Sequence, residues 1–181
     1  MCLYKKPMSI IPLSTLTITL IALAGGNVQA REHSDREKSL PLVQVLTFNL
    51  ADAAAEEALE ACENDGYRVS VAVVDQAGLV KSHIRGDGAG PHTLESARKK
   101  AYTSASLRRP TSALVDTVVS NPAAEGLRDM NDNILILGGG LPIFVDDQLV
   151  GGIGVGGAPR GDLDEACAQT GVELIQDAVD D

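Results

Sequence analysis

A histidine and several basic residues lie close together in the segment RGDGAGPHTLESARKK, residues 85–100. His92 follows a glycine- and proline-rich loop where a helix is predicted to begin, and the positive end of the helix dipole favours the neutral imidazole that a metal ligand needs. Arg85, Arg98 and Lys100 could pair with carboxylates of the same ligand. Haem requires an axial nitrogen and partners for its propionates, so this segment predicts a haem site with His92 as the metal ligand.

The same residues also have a purely structural interpretation. A histidine after Gly-Pro can help to cap its helix, and a run of basic residues is often a solvated helix face. His83, on a predicted strand, is a weaker candidate ligand, and His33 is the weakest because it lies in a polar segment near the amino end. The residues alone leave both interpretations open.

Residues 134–158, ILILGGGLPIFVDDQLVGGIGVGGA, contain eight of the 18 glycines of the chain. In residues 152–156, GIGVG, a strand sends the bulky side chains to one face and leaves the other face as bare backbone. The segment predicts a hairpin with Asp146 and Asp147 at its turn, whose bare face at Gly154 lets a macrocycle or a second subunit approach. In a protein without a cofactor, the same face is only a packing surface.

Several classes of enzyme and partner are not indicated by this sequence. Residues 31–181 carry 13 basic and 25 acidic residues, a formal net charge of −12, and the chain has no Trp, whereas nucleic acids and anionic membranes select clustered Lys and Arg. The G-x-S-x-G, phosphate-loop, H-E-x-x-H and C-x-x-C patterns are absent. We therefore predict no nucleic-acid partner, and we favour a binding protein over an enzyme, with no catalytic residue assigned.

Residues 1–30 have the pattern of a secretory signal peptide, in which two lysines precede an apolar run that ends in small residues. We predict cleavage after Ala30, a periplasmic or secreted product, and no membrane insertion after cleavage. Residues 31–45 begin with a polar, charged stretch, which predicts a flexible N-terminal arm. Residues 46–181 have the length of a single domain.

The periodicity of apolar residues and the turn residues predict the order helix, hairpin, two helices, hairpin or meander, helix. The predicted elements are a helix capped at Asn49 and ending at Gly66, strands over residues 67–75 and 79–85, a helix that starts near His92 or Thr93 and is ended by Pro110, a short helix to about Ser120, the glycine-rich hairpin, and a helix from Gly161. This order predicts an α+β domain (an α/β three-layer arrangement) with a mostly antiparallel sheet of about five strands flanked by helices, similar to profilin.

Two cysteines follow the predicted signal peptide, Cys62 on the first predicted helix and Cys167 on the last. In an oxidising compartment they could form a disulfide that joins the two helices. The alternative is two unlinked, small apolar residues in the core, and it is favoured because free cysteine is among the most buried residue types.

Three segments, in the same order and at compact spacings, resemble one known family. VSVAVVDQAGLVKSHIRGDGAG, ESARKKAYTSASLRRPTSAL and ILGGGLPIFVDDQLVGGIGVGGA resemble the GlcG/HbpS-like family, also described as a haem-degrading domain and found at the carboxyl end of PduO-type proteins. The resemblance covers about residues 46–178. It implies a small domain with an antiparallel sheet flanked by helices, assembly into dimers or larger rings, and haem binding by several members.

The chain departs from the family pattern just before the helix that begins near His92. Many members have an Arg-Met-Asp-Gly-Ala run there, whereas residues 85–89 of this chain are RGDGA. The missing methionine removes one possible sulfur ligand, and His92 supplies a nitrogen at almost the same place. Lys100 corresponds to the helix motif of the family, and Gly154 is one of its hairpin glycines.

We therefore predict an exported haem-binding protein that takes up, stores or senses haem or its iron, and that forms a homo-oligomer, a dimer or larger. In this hypothesis His92 is the axial ligand, Lys100 and Arg98 or Arg85 meet the propionates, and the Gly154 face admits the macrocycle or a partner subunit. Two other hypotheses remain: an oligomeric accessory or scaffold protein without a cofactor, and an enzyme that degrades haem or acts on another small molecule.

Overall fold

Residues 42–180, the part of the chain that this computed structural model describes, contain four α-helices and four β-strands. In chain order the elements are α1 (Phe48–Asn64), β1 (Ser70–Asp75), β2 (Val80–Arg85), α2 (His92–Leu107), α3 (Thr111–Ser120), a 3-10 helix (Pro122–Arg128), β3 (Gly140–Val145), β4 (Gln148–Gly156) and α4 (Gly161–Asp180). The predicted signal peptide and most of the predicted N-terminal arm lie outside the described residues. Within residues 42–180, no helix has the length and apolar character that crossing a membrane requires.

The four strands form one antiparallel sheet in the order β2-β1-β4-β3. Ser70 pairs with Gly156 and Asp75 pairs with Gly151, so β1 lies along the whole glycine-rich part of β4. The predicted α+β class, with an antiparallel sheet flanked by helices, is confirmed. In the described part of the chain the sheet has one strand fewer than the predicted number of about five.

The apolar run before β3 lies outside the sheet, although the sequence predicted it as part of the glycine-rich hairpin. Ile134 and Ile136 pack against α3 in an apolar cluster separate from the main core. The backbone here is held by α2, because the Leu135 N–H donates to the Thr103 hydroxyl at 2.8 Å. The hairpin therefore begins only at Gly140.

Helices cover both faces of the sheet and so make three layers. α1 and α4 lie on one face, where the main core includes Ala54, Ala58, Val71, Val73, Ile143, Ile153, Val155, Val172 and Ile175. α2 lies on the other face, where its Ala97, Ala101 and Ala105 pack with Ala72 and Val74 of β1. These small side chains let the axis of α2 come close to the sheet.

A disulfide joins α1 to α4. It links Cys62 to Cys167, whose Cα atoms are 5.5 Å apart. The alternative that the sequence favoured, two unlinked buried cysteines, is therefore wrong. The two helices pack side by side and bring together cysteines that are 105 positions apart in the chain. A disulfide requires this proximity in space, and the amino-acid composition does not predict it.

The predicted start of the first helix is also corrected. α1 begins at Phe48 rather than at the Asn49 cap, because the Thr47 hydroxyl accepts the Leu50 N–H at 3.3 Å and so caps the helix. α2 and α4 begin at the predicted residues.

Candidate functional site

The start of α2 lies over one end of the sheet. Ser70 pairs with Arg85 on one side and with Gly156 on the other, so β1 begins where β2 and β4 end. The buried hydroxyls of Ser70 and Thr93 are 2.7 Å apart, which fixes the first turn of α2 above this end. We call this end of the sheet, together with the connecting residues 86–91, the loop end.

Two guanidinium groups flank the loop. The Arg85 side chain donates to the Ala89 carbonyl oxygen, with Nε at 2.9 Å and a second, short contact from Nη2. The Arg68 side chain lies across Gly88, because a Cβ placed on Gly88 would be 3.0 Å from Arg68 Cδ and 3.1 Å from Nη1. Arg85, at the end of β2, thus braces the loop at Ala89, and Arg68, which precedes β1, lies against Gly88.

Arg68 was not predicted from the sequence. It lies just before β1, outside the segment 85–100 that contains the predicted ligand residues. The predicted β1–β2 hairpin could have indicated it. In an antiparallel pair, the residue that precedes the first strand lies beside the loop that follows the second strand.

His92 is the first residue of α2, and its side chain is exposed. The imidazole lies against Gly90, since a Cβ on Gly90 would be 2.7 Å from Cε1 and 2.9 Å from Nδ1 of the ring. The Thr93 hydroxyl donates to the Gly90 carbonyl oxygen at 2.6 Å. The start of α2 has no capping hydrogen bond from a side chain, so His92 does not cap the helix. The ring is held beside the loop and remains accessible.

His83 lies on the side of β2 that faces α2, and its Nε2 is 3.1 Å from the Leu94 carbonyl oxygen. Arg85 shares this side of the strand, because side chains alternate along it, whereas Lys81 lies at a bulge that interrupts the pairing of β2 with β1. The intervening Ser82 faces α1, where its hydroxyl donates to an Asp52 oxygen at 2.8 Å. His83 is therefore a neighbour of the site whose ring nitrogen already has a protein partner.

Arg98 lies on α2 and forms an ion pair with Glu95 at 2.9 Å. Its Nη1 also donates to Asn133 Oδ1 at 3.1 Å. The hydrogen bond from the Arg98 guanidinium lowers the pKa of Glu95 below its ordinary value. Arg98 could contact a ligand carboxylate only by giving up these partners.

Lys100 is only 1% exposed. Its Nζ donates to Asp164 Oδ2 at 2.7 Å and to the Val155 carbonyl oxygen at 2.9 Å. The other carboxylate oxygen of Asp164 accepts the Ala158 N–H at 2.9 Å. Burial raises the pKa of Asp164 even though the Lys100 ammonium opposes this effect. In place of the predicted propionate contact, Lys100 ties α2 to β4 and α4 from inside the protein.

The bare glycine face of β4 is covered by α2 of the same chain. A Cβ on Gly154 would overlap the Ala97 carbonyl oxygen and lie 2.5 Å from the Ala101 nitrogen, and one on Gly152 would be 2.6 Å from the Ala101 carbonyl oxygen. This close packing leaves no space at Gly154 for the predicted approach of a macrocycle or a second subunit. The glycine face is thus a packing surface for a helix of the same chain, and this packing does not test whether the protein binds a cofactor.

In the region from 42 to 180, no group of three or more His, Cys, Asp and Glu side chains is arranged to hold a metal ion. At the loop end, the His92 imidazole offers one accessible nitrogen as a ligand. One such donor is what an axial position requires when a macrocycle holds the iron.

Charged residues are distributed unevenly among the elements. α1 and α4 contain five and six acidic residues respectively, and neither helix contains Lys or Arg. On β2 and α2 the balance is reversed: their charged residues are Lys81, Arg85, Glu95, Arg98, Lys99 and Lys100. These two elements beside the loop end are therefore locally basic, although the Lys100 ammonium is paired with Asp164 of α4, in a chain whose formal net charge is −10.

Comparisons with known proteins give one consistent family. The family described as "Haem degrading protein HbpS-like" matches residues 46–173. The crystal structure of a double variant of HbpS from Streptomyces reticuli is 44% identical, with a TM-score of 0.70 over 75% of this chain and 90% of that one. The crystal structure of a complex of PduOC with haem is 28% identical, with a TM-score of 0.66 over 72% of this chain and 95% of that one. Protein GlcG of Escherichia coli K12 is 29% identical over 111 residues, which are 61% of this chain and 81% of GlcG.

Proposed function

This chain belongs to the HbpS-like family, and on that basis we propose that it is a haem-binding protein. The observation that carries the proposal is the arrangement of the loop end, where the accessible His92 imidazole and the Arg68 and Arg85 guanidinium groups all adjoin residues 86–91. Support also comes from PduOC, a structural neighbour crystallised with haem.

The residues of the loop end fit the chemistry of this cofactor. His92 would supply a nitrogen ligand for the iron, and Arg68 and Arg85 would supply cations for the propionates. Because α2 covers the Gly154 face, the loop end is the part of the sheet that would hold the cofactor. Bound haem supplies the iron centre, and the chain holds and orients it.

Titration with haem tests the assignment of His92. We expect a Soret band for the wild-type protein and its loss, or at least a tenfold weaker affinity, for His92→Ala. His83→Ala is the matched control, because it removes another exposed imidazole that faces α2 from the neighbouring strand, and it should keep the band. Equal spectra for the wild type and His92→Ala would refute the assignment.

The role of Arg68 can be separated from that of His92 by changing the ligand. Wild-type protein should bind haem more tightly than its dimethyl ester, which lacks the propionate charges. Arg68→Ala should reduce this preference by about tenfold, the effect of one charge-assisted hydrogen bond. Arg128→Ala, in the exposed 3-10 helix, should leave the preference unchanged; an unchanged preference in Arg68→Ala would remove Arg68 from the site.

We further propose that the protein is exported, that it takes up, stores or senses haem or its iron, and that it works as a homo-oligomer. The signal-peptide pattern of residues 1–30 supports export, as does the Cys62–Cys167 disulfide, since disulfides persist in oxidising compartments. Cell fractionation followed by mass spectrometry tests this proposal. The expected product is periplasmic or secreted and begins at Arg31, whereas a cytoplasmic product that still carries residues 1–30 would contradict it.

The description of the family favours haem degradation as a second candidate function. The haem-loaded protein, incubated with a reductant and oxygen, then loses its Soret band and releases an open tetrapyrrole. A band that persists under these conditions supports binding without degradation. A cofactor-free scaffold shows no visible absorbance at any ratio of haem to protein.

A further inference from the structure

Exposed apolar side chains gather at the end of the sheet opposite the loop end. In the register of the sheet, Asp75 pairs with Gly151, Val74 with Val80, and Val145 with Gln148, so the β1–β2 and β3–β4 turns lie at this same end. We call it the turn end. The large apolar residues around it are Val43, Val45, Phe48, Leu79, Val80 and Val179, which are 45% to 66% exposed. A concentration of this kind marks an interaction surface.

A groove of about 320 Å³ opens at the turn end, between the segment before α1, the β3–β4 hairpin and the end of α4. Its lining residues are Gln44, Val45, Leu46, Thr47, Leu50, Val145, Val150, Ile175 and Val179. A second depression shares Val145 and Val179 with it and includes Asp146 and Asp180. The groove is thus apolar with carboxylates beside it, and neither depression is lined by Lys or Arg.

The β1–β2 turn has the complementary chemistry. Its tip presents Leu79, 66% exposed, and Val80, 47% exposed, and both are followed by Lys81. The tip is held rigidly because the Asp75 carboxylate accepts the Ala77 N–H at 2.9 Å and the Leu79 N–H at 3.0 Å. A preformed apolar tip with an adjacent cation matches an apolar groove with adjacent carboxylates.

We propose that the turn end is the interface of a two-fold symmetric dimer, in which the β1–β2 tip of each copy enters the groove of the other. A two-fold axis makes every contact twice, so the tip and the groove must both face the partner, and the register places both at the turn end. Leu79 and Val80 fill the groove, and Lys81 meets the carboxylates of Asp146 and Asp180. The inference rests on the proposed homo-oligomer and names its interface. The loop end stays outside this interface, so the inference is independent of haem binding.

Sedimentation velocity of the purified protein tests the proposal with two variants at exposed positions, Leu79→Asp on the tip and Val45→Asp on the groove. If one such side chain is no longer buried, association weakens about tenfold. A two-fold dimer contains this contact twice, so each variant should raise the dimer dissociation constant about a hundredfold. The control is Val119→Asp on α3, which is 75% exposed and away from the turn end. Circular dichroism confirms that each variant is folded.

Mixing the two variants tests the reciprocal geometry. A dimer of one Leu79→Asp chain and one Val45→Asp chain keeps one tip–groove contact intact, so the mixture should contain more dimer than either variant alone. A mixture that stays monomeric refutes the reciprocal arrangement. A monomeric wild type at micromolar concentration refutes the proposed homo-oligomer together with this interface. Variants that associate as strongly as Val119→Asp refute the interface alone. The haem titration of Leu79→Asp should match that of the wild type, so failure here is distinct from failure of the haem proposal.

Discussion

Replacement of Gly154 by alanine should strongly destabilise the fold, because α2 packs directly on this residue. The added Cβ would overlap the Ala97 carbonyl oxygen and lie 2.5 Å from the Ala101 nitrogen. Both are backbone atoms of a helix, and no rotamer change can move them away. Relief requires α2 to shift off the sheet, which also opens its contacts with Ala72 and Val74.

The size of the effect follows from two opposing terms. Replacing a glycine by alanine within a strand is by itself favourable by about 0.5–1 kcal/mol. Forcing an extra group into a close-packed site costs about 1–3 kcal/mol and sometimes more, and rigid backbone neighbours place Gly154→Ala at or above the upper limit. We expect a net loss of about 2–3 kcal/mol, which lowers the Tm of a domain of this size by about 4–12 °C.

Thermal and urea denaturation measure this loss. The control is Gly126→Ala, since a Cβ at Gly126 meets nothing within 4 Å, and it should change the unfolding free energy by no more than about 0.5 kcal/mol. If Gly154→Ala unfolds at the same temperature as Gly126→Ala, the contact between α2 and β4 is looser than described. The Gly154 face would then again be open to a ligand or a second subunit.

Two further predictions concern the links between layers. Lys100→Met should lower the free energy of unfolding, measured by urea denaturation, by about 3–5 kcal/mol because it leaves the Asp164 carboxylate buried without its cation. The double variant with Asp164→Leu should recover most of this loss. A Lys100→Met protein as stable as the wild type would contradict the buried ion pair. Reduction of the Cys62–Cys167 disulfide should lower the unfolding free energy by about 2–5 kcal/mol. The measurement is the urea midpoint with and without dithiothreitol. An unchanged midpoint, with the free thiols confirmed, would count against a stabilising role of the disulfide.

The sequence predicted the local elements well because their signals are local. Pro91 and Pro110 bracket α2, and the two aspartates at 146 and 147 mark the turn of the second hairpin, where both adopt positive φ. The alternation in β4 correctly showed one face without side chains. It did not show what covers that face, because a pattern within one strand carries no information on its neighbours; the alanines of α2, spaced to lie on one side of the helix, were the available clue.

The candidate site was predicted only where residues close in sequence are also close in space. Arg85 and His92 adjoin one short loop, so the segment that contains them located the loop end. Lys100 is near them in sequence but points into the protein, toward a carboxylate 64 positions away. Lys100 is buried because it pairs with that distant carboxylate, and for the same reason it cannot contact a ligand at the loop end. Arg68 was missed for the opposite reason, since strand pairing brings it to the loop from elsewhere in the chain.

The acidic helices α1 and α4 and the basic elements β2 and α2 make the electrostatic field around the domain uneven. A dianionic ligand diffusing toward the protein is repelled by α1 and α4 and attracted by β2 and α2, which favours its approach from the side that carries His92. Added salt screens this field. The association rate of haem should therefore fall as the salt concentration rises. The net charge of −10 would by itself repel an anionic ligand, and would therefore predict an association rate that rises with salt.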